Sequence, residues 1–484
     1  MAYHSSYNEK ALAKRFIESN GKTIRYVRQL KTWMTYRKSL GIWVYDHSKE
    51  EVYTKLDELE HELRAEKKKF IEMDDEISKK RIEKSIYRMG TSRFLKSILE
   101  MAQHNRGVTV DAKDLDGDRT MIGCKNGHVN LRTGQLLPKN PSRLITKKVS
   151  VKYNPNSADP KVFLKFMSQI MCGDQELVRF MQTVLGYTLT GETREQKMFF
   201  LWGPSGSNGK STLLNLISGI LGDYACSTSS STFTSITEDN NQYYRLAKLR
   251  GSRFVSAVEL SSRAKMNEVQ MKRLTGEDTI VARKPRGDLF EYSPQFKTFM
   301  ATNHMPTLSS DNATMRRVVI VPFLAHFQNS PSQTLPLDPE LPSKLDNERE
   351  EIFSWLVEGA QRWYDEGLTI PKACKDALGR FRKASNVVQA FVDECVDEVD
   401  AKPDDRPLRE FVTVRDLFDA YVTWSEDMGK TPITRGNFAS EIRKMGYWNR
   451  PVRNHKKQGD PSVRLWMRTS GSNKDAKGLS LRIH

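Results

Sequence analysis

Nowhere in the sequence does an apolar run approach the roughly 20 residues that span a bilayer. Met1 is followed by the polar stretch Ala2-Tyr3-His4-Ser5-Ser6, not by a basic segment and an apolar core. Neither a membrane span nor a secretory leader is expected, and the chain reads as cytoplasmic. Cysteine is sparse. The five residues Cys124, Cys172, Cys226, Cys374 and Cys395 lie far apart, without a CxxC pair or histidines at zinc-finger spacing. That excludes a disulfide framework and a zinc knuckle, and leaves reduced thiols. Acidic side chains are outnumbered, 60 Asp and Glu against 77 Lys and Arg, for a formal net charge of +17. Such an excess fits a polyanionic partner such as nucleic acid, although a generally solvated basic surface has the same balance. With 38% hydrophobic and 28% charged residues, the 484-residue chain has the composition of a folded protein rather than a disordered one. Its length corresponds to roughly three domains.

What is present changes character along the chain. Ile24 to Val27, Trp33 to Tyr36 and Ile42 to Tyr45 alternate apolar and polar residues and predict a meander of strands. From Val52 the period becomes helical, with Val52, Leu56, Leu59 and Leu63 on one face, and Lys67-Lys68-Lys69 reads as a solvated side of that helix. Asp114, Asp116 and Asp118 are spaced somewhat like a calcium loop. Gly117 is out of place for an EF-hand and the closing Glu is missing, so a polar turn is the better reading. Helical patterning returns through Phe163, Phe166 and Ile170 and again through Leu177, Phe180, Val184 and Leu185. From about Glu195 to Phe323 an apolar strand, a glycine-rich turn, a helix and further short apolar strands predict an α/β layout.

The strand Met198 to Trp202 runs into Gly203-Pro204-Ser205-Gly206-Ser207-Asn208-Gly209-Lys210-Ser211-Thr212 and then an apolar helix through Leu213, Leu214, Leu216 and Ile217. Strand, glycine-rich loop, Lys-Ser and helix in that order form a P-loop in its required context. Glycines let successive backbone N–H groups converge on phosphate oxygens, and the helix presents its positive end to the same anion. The expected ligand is ATP with Mg2+: Gly203, Gly206, Ser207, Asn208, Gly209, Lys210, Ser211 and Thr212 bind the nucleotide, Lys210 bridges the terminal phosphates and Ser211 ligates the metal. The loop is one residue longer than the usual GxxxxGK, so Gly206 or a bulge is a candidate for the first glycine's role.

A P-loop alone does not separate kinases, GTPases, packaging motors and helicases. Downstream, the strand Arg253 to Val258 ends at Glu259, a carboxylate placed to polarise the attacking water and to share in holding Mg2+. A further strand from Phe296 leads to Asn303, which can orient that water or sense the γ-phosphate. Arg316 and Arg317, just before the apolar run Val318 to Phe323, are candidates for a finger inserted into a neighbouring subunit's site.

Together, "GPSGSNGKST", "LRGSRFVSAVEL", "MKRLTGEDTIVARKPRGDLFEYSPQFKTFMATNHMP" and "DNATMRRVVIVPF" resemble the superfamily three helicases, and specifically the phage/plasmid primase-helicase branch that includes the poxvirus primase-helicase. The likeness extends upstream through "KNGHVNLRTGQLLP" and "LGYTLTGETREQKMFFLWG", and so covers most of the chain after about Asp111. It implies an AAA+-like subunit working as a homo-hexameric ring, with single-stranded or forked DNA in its channel, 3'-to-5' movement and replication of a mobile element in a bacterial host's cytosol. The basic turn of Thr279 to Phe290 matches the hairpin that grips DNA, with Lys284 as the leading contact and Arg283 and Arg286 beside it; the alternative is a hairpin whose charges are merely solvated. Two departures stand out. Glu259 is followed by Leu260-Ser261-Ser262 rather than a second acid, which shifts Mg2+ ligation toward Ser211 and water, and the primase half is not expected, so a separate primase or other replication protein becomes a partner.

The expected organisation is multidomain α/β: an α+β region over 1–110, a family-specific and helical-collar region over 111–194, the AAA+-like P-loop ATPase core over 195–325, a helical lid or linker over 326–395 and a winged-helix-like domain over 396–484. In the last, Thr413 and Thr434 are predicted to cap helices, and a basic ribbon from Arg450 to Lys457 follows. Trp448 and Trp466 are predicted to be core. The function expected is ATP-driven helicase activity. The alternative is an ATP-switched initiator or loader that binds origin DNA without processive unwinding.

Overall fold

The computed structural model describes residues 7–204, 206–234, 240–258, 265–308, 312–328, 335–385, 387–400, 412–429, 432–452, 463–469 and 476–481. Its contacts divide the chain into two units, Met1–Pro306 with Arg316–Lys375, and Thr307–Met315 with Asp376–His484.

The first unit begins with a helix, Glu9–Asn20, whose N-terminus is closed by the Asn8 side chain accepting from the Ala11 N–H. The predicted meander follows as Ile24–Val27, Thr32–Arg37 and Ile42–Asp46, paired antiparallel. Its hydrophobic cover is the helix Glu50–Glu72, which buries the stripe Val52, Leu56, Leu59 and Leu63. Lys67 on that helix forms a 2.7 Å ion pair with Glu83, while Lys68 and Lys69 face solvent. Asp116 lies in a turn as expected, but it is buried and in the left-handed region at φ 51°. Its carboxylate accepts from the Thr146 N–H at 2.8 Å and from the Thr146 hydroxyl, tying the turn to the strand-like segment beyond it.

Five parallel strands build the central sheet: β1 Met198–Trp202, β2 Ala225–Thr228, β3 Phe254–Val258, β4 Lys297–Thr302 and β5 Val318–Pro322. Their spatial order is β5-β1-β4-β3-β2. β1, β4 and β5 are buried along almost their whole length, which explains why their sequences read as continuous apolar runs rather than alternating ones. Around the sheet pack α1 Lys161–Ile170, α2 Gln175–Leu189, α3 Lys210–Leu221 and α4 Arg349–Glu366, which share one hydrophobic core with it.

Two features fix α2. Against α4 its backbone comes into direct contact: a Cβ on Gly186 would collide with the Gly359 and Ala360 backbone, and one on Gly359 with the Gln182 carbonyl. At its C-terminus two buried cations close the open carbonyls. Lys297, at the start of β4, donates to the Thr190 oxygen at 2.5 Å and the Glu192 oxygen at 3.1 Å, and Arg253, just before β3, donates to the Leu189 oxygen. Positive charge at a helix C-terminus is favoured by the helix dipole. Burial nevertheless drives the Lys297 ammonium well below the ordinary lysine range, with the nearby Arg253 charge acting in the same direction.

In the second unit the helices Val414–Asp427 and Arg435–Lys444 start at Thr413 and Thr434, whose hydroxyls accept from the Asp416 and Asn437 N–H groups. A four-stranded antiparallel sheet follows, in the order Val396–Asp400, Ala476–Leu481, Val463–Thr469, Trp448–Val452. Trp466 is fully buried there, as expected. Trp448 is not core: it is 57% exposed. It opens the edge strand of that sheet, so one side of its ring has no neighbouring strand to cover it. The tip of the basic ribbon, Arg453 to Lys457, lies outside the described residues. Among the described residues no helix is long and apolar enough to cross a membrane.

Gly186→Ala should lower stability by about 1–3 kcal/mol through overpacking against α4, measured as a fall in the thermal midpoint of the purified chain, whereas Gly379→Ala, where an added Cβ meets nothing within 4 Å, should leave it nearly unchanged.

Candidate nucleotide site

The loop between β1 and α3 sits at the carboxyl end of the parallel sheet, and its shape is set by two glycines. A Cβ on Gly203 would strike the Phe323 carbonyl oxygen, and one on Gly209 would lie 2.5 Å from Ile170 Cγ2, with Phe166 behind it. Gly209 also adopts φ 81° as the residue preceding α3. Gly206 meets nothing within 4 Å, so the first glycine's steric role stays with Gly203. The additional residue is absorbed at Ser207, which takes a left-handed φ of 55°. Among the described residues no side chain caps the start of α3, so its first N–H groups are oriented to meet an anion.

Lys210 is 9% exposed and points back across the loop. Its ammonium donates to Asn208 Oδ1 at 2.7 Å, Asn303 Oδ1 at 2.9 Å and the Gly203 oxygen at 3.4 Å. All three partners are neutral, and burial holds the group below the ordinary lysine value. A desolvated cation whose partners among the described residues are amide and carbonyl oxygens, beside the start of a helix, has the chemistry that suits a multiply charged anion such as a phosphate chain. Asn303 reaches it from just beyond β4, so the structure brings together two residues that the sequence separates widely.

The segment after β5 closes over the same loop. The Phe323 N–H donates to the Trp202 oxygen at 2.6 Å, the Phe327 N–H to the Ser207 oxygen at 2.9 Å, and Asn208 Nδ2 to the Ala325 oxygen at 2.6 Å. His326 Nδ1 lies 3.1 Å from the Gly206 oxygen. Asn208, 2% exposed, thus links Lys210 to this strap. The strap residues were missed in the sequence because they follow the last recognisable motif and carry no charge pattern.

Ser211 and Thr212 begin α3, with Ser211 exposed and free to meet a metal ion or phosphate. β3 ends at Val258, and Glu259 lies outside the described residues, as does Ser205. The two arginines before β5 differ sharply. Arg317 is 9% exposed and its guanidinium donates to Gln196 Oε1 at 3.2 Å, whereas Arg316 is exposed and reaches the same oxygen only at 3.4 Å. Arg283, Lys284 and Arg286 belong to a separate two-stranded hairpin, Ile280–Arg283 with Leu289–Tyr292. The Tyr292 hydroxyl anchors its base by donating to the Leu246 oxygen at 2.6 Å, and its tip, including Lys284 and Arg286, is exposed.

Comparison with known proteins follows the same division. The D5 N terminal like family matches residues 13–172, and a family of unknown function (DUF5906) matches residues 201–317, the stretch that holds the loop, the hairpin and both arginines. The chain is 27% identical over 339 residues to a protein of Acanthamoeba polyphaga mimivirus named as a putative helicase, covering 66% of this chain and 34% of the relative. It is 26% identical over 291 residues to one so named in Frog virus 3 (isolate Goorha), covering 56% and 29%. Residues 13–172 are thus similar to the D5 N terminal like family, and about two thirds of the chain is similar to a viral protein named as a putative helicase. The chain spans about a third of the length of the curated relatives it matches. Its fold is similar to the apo structure of the NrS-1 C-terminal region (305–718), with a TM-score of 0.53 at 11% identity, covering 94% of this chain and 98% of that one.

Two measurements check the loop. Asn208→Ala removes a buried acceptor and a buried donor together, and should cost about 1–3 kcal/mol in denaturant unfolding. A lysine held below its unfolded pKa binds fewer protons folded than unfolded between the two values, so stability should rise with pH from the depressed Lys210 value toward the ordinary lysine value. Lys210→Met should reduce that slope.

Proposed function

We propose that this chain is a nucleoside-triphosphate-driven DNA translocase, an AAA+-like P-loop ATPase that assembles as a hexameric ring and separates DNA strands during replication of a mobile element. The observation that carries the reading is the desolvated Lys210, held by Asn208 and Asn303 at the open start of α3 on a sheet ordered β5-β1-β4-β3-β2. In this reading the terminal phosphates of ATP displace the two amides from Lys210, Ser211 takes Mg2+, and Glu259 activates water. Asn303, released from Lys210, is left to sense the γ-phosphate.

Arg316 is assigned the finger because it is the exposed member of the pair, whereas Arg317 is buried beside Gln196 and serves the fold. Lys284 and Arg286 on the exposed hairpin tip are assigned to the DNA backbone, where cations track phosphates without reading sequence. The second unit, in which the helices Val414–Asp427 and Arg435–Lys444 accompany a four-stranded antiparallel sheet, is assigned a winged-helix-like docking role. The viral relatives named as helicases support the direction of this assignment.

Strand displacement on forked DNA, run beside ATP turnover, tests it. Lys210→Ala should abolish turnover. Lys284→Ala should lose unwinding by at least tenfold while ATP binding survives, and Arg316→Ala should lose turnover only in assembled rings, with mixed-subunit assays recovering part of it. DNA-independent turnover by a chain that stays monomeric with nucleotide and DNA present would refute the translocase, and a sequence-dependent footprint without strand separation would mark an initiator instead.

A further inference from the structure

The helix Glu76–Met89 of the first unit has one face that the core does not use. Its buried side is made by Ile82, Ser85, Ile86 and Met89, and Asp75 closes its start by accepting from the Ser78 N–H. On the opposite side, at helical spacings of three and four residues, stand Ile77, Lys80, Arg81, Lys84 and Tyr87, all of them exposed. Tyr87 is 82% exposed and Ile77 67%. At 1.5 Å of rise per residue, Lys80, Lys84 and Tyr87 follow one another along about 10 Å of the helix axis.

Neighbouring cations of the same helical layer have acidic partners. Arg15 pairs with Glu62 and Glu66, Arg64 with Glu60, Lys67 with Glu83, Lys79 with Glu76 and Arg88 with Glu9. Lys80, Arg81 and Lys84 differ: among the described residues their side chains make no ion pair and no hydrogen bond. Like charges one turn apart on a helix repel, so an anionic partner stabilises this face rather than merely touching it. Beside Tyr87 a groove of about 520 Å³ opens against the helix Glu50–Glu72, with Arg64, Lys67, Ile86 and Thr91 among its walls. Its two carboxylates, Glu60 and Glu83, are already neutralised by Arg64 at 2.6 Å and Lys67 at 2.7 Å. The groove therefore offers polar edges without net charge to a flat neutral group lying against the ring.

We propose that this face is a second DNA contact: single-stranded DNA lies along the helix Glu76–Met89, with its phosphates against Lys80, Arg81 and Lys84 and one unstacked base on Tyr87 at the mouth of the groove. Cations that follow the backbone and an exposed aromatic that takes a base are the two components of single-strand binding. Duplex DNA keeps its bases stacked on one another and leaves Tyr87 without a partner, and an acidic peptide meets the cations but not the ring. The choice of DNA over RNA rests on the translocase reading. The surface itself is separate from the hairpin that carries Lys284, and it needs no nucleotide.

Fluorescence anisotropy of a labelled single-stranded oligonucleotide on the full chain without nucleotide, read across a salt series, tests it. Lys80→Gln, Arg81→Gln and Lys84→Gln together should lower the slope of log affinity against log salt by about 2, since each phosphate contact on a single strand contributes about 0.7. Tyr87→Ala should weaken binding about fivefold or more, the loss expected of one stacked base, with the slope unchanged. All four side chains are exposed, so the thermal midpoint should hold in both variants. The same losses should appear in a Lys284→Ala chain, as two separate surfaces require. Ultraviolet crosslinking of an oligonucleotide carrying iododeoxyuridine should label Tyr87 of the wild type, located by peptide mass, and this arm needs no substitution. An affinity and slope unchanged in the triple variant, crosslinks confined to other segments, or equal affinity for a blunt duplex would overturn the assignment while leaving the hairpin reading standing. A triple variant that binds DNA like the wild type but alters the mass of the assembly would mark the face as a contact between copies of the chain instead. Failure of the wild type to bind any DNA would remove the translocase reading as well.

Discussion

A lysine ammonium buried at the end of a parallel sheet, whose partners among the described residues are amide and carbonyl oxygens, is the constraint from which the rest of the site follows. Removing Lys210 from water is tolerable only because Asn208, Asn303 and the Gly203 carbonyl each accept from it. Those acceptors arrive from two parts of the chain, Gly203 and Asn208 from the loop between β1 and α3 and Asn303 from just beyond β4. Satisfying one cation therefore fixes the register of β1 against β4 where the two strands end. Neutral partners stabilise the ammonium less than a carboxylate would, and the residual deficit is what an incoming phosphate chain can supply.

Close backbone approach is the second organising element. Gly203 lets the loop lie against Phe323, Gly209 lets α1 press on the start of α3, and the Gly186 and Gly359 pair lets α2 and α4 meet without side chains between them. The contact at Gly209 thus connects the helical layer to the loop that holds Lys210. The strap after β5 completes the arrangement from the other side, through main-chain bonds at Ser207 and the Asn208 amide.

Much of this was legible in the sequence because it is local. The strand Met198–Trp202 and the helix beginning at Lys210 fall where strand pattern, glycines and apolar period place them. The stripe from Val52 to Leu63 is buried as a stripe, and Thr413 and Thr434 cap the helices they precede. What escaped is long-range. Asn208 is legible as a loop residue at the nucleotide, but that it joins Lys210 to the Ala325 oxygen is not. Adjacent arginines are indistinguishable in sequence, yet one is buried and the other exposed, because the residue entering a buried strand turns inward while its predecessor does not. Trp448 was misread because an aromatic at the edge of a sheet has the same local pattern as one inside it.

The central claim is that Lys210 waits in a preformed phosphate site. A crystal structure with a non-hydrolysable ATP analogue and Mg2+ tests it most directly. The account expects the terminal phosphates at the start of α3, with the Lys210 ammonium moved off Asn208 and Asn303 onto phosphate oxygens and Gly209 within hydrogen-bond reach. An analogue bound elsewhere at saturation, with Lys210 still held by the two amides, would contradict it.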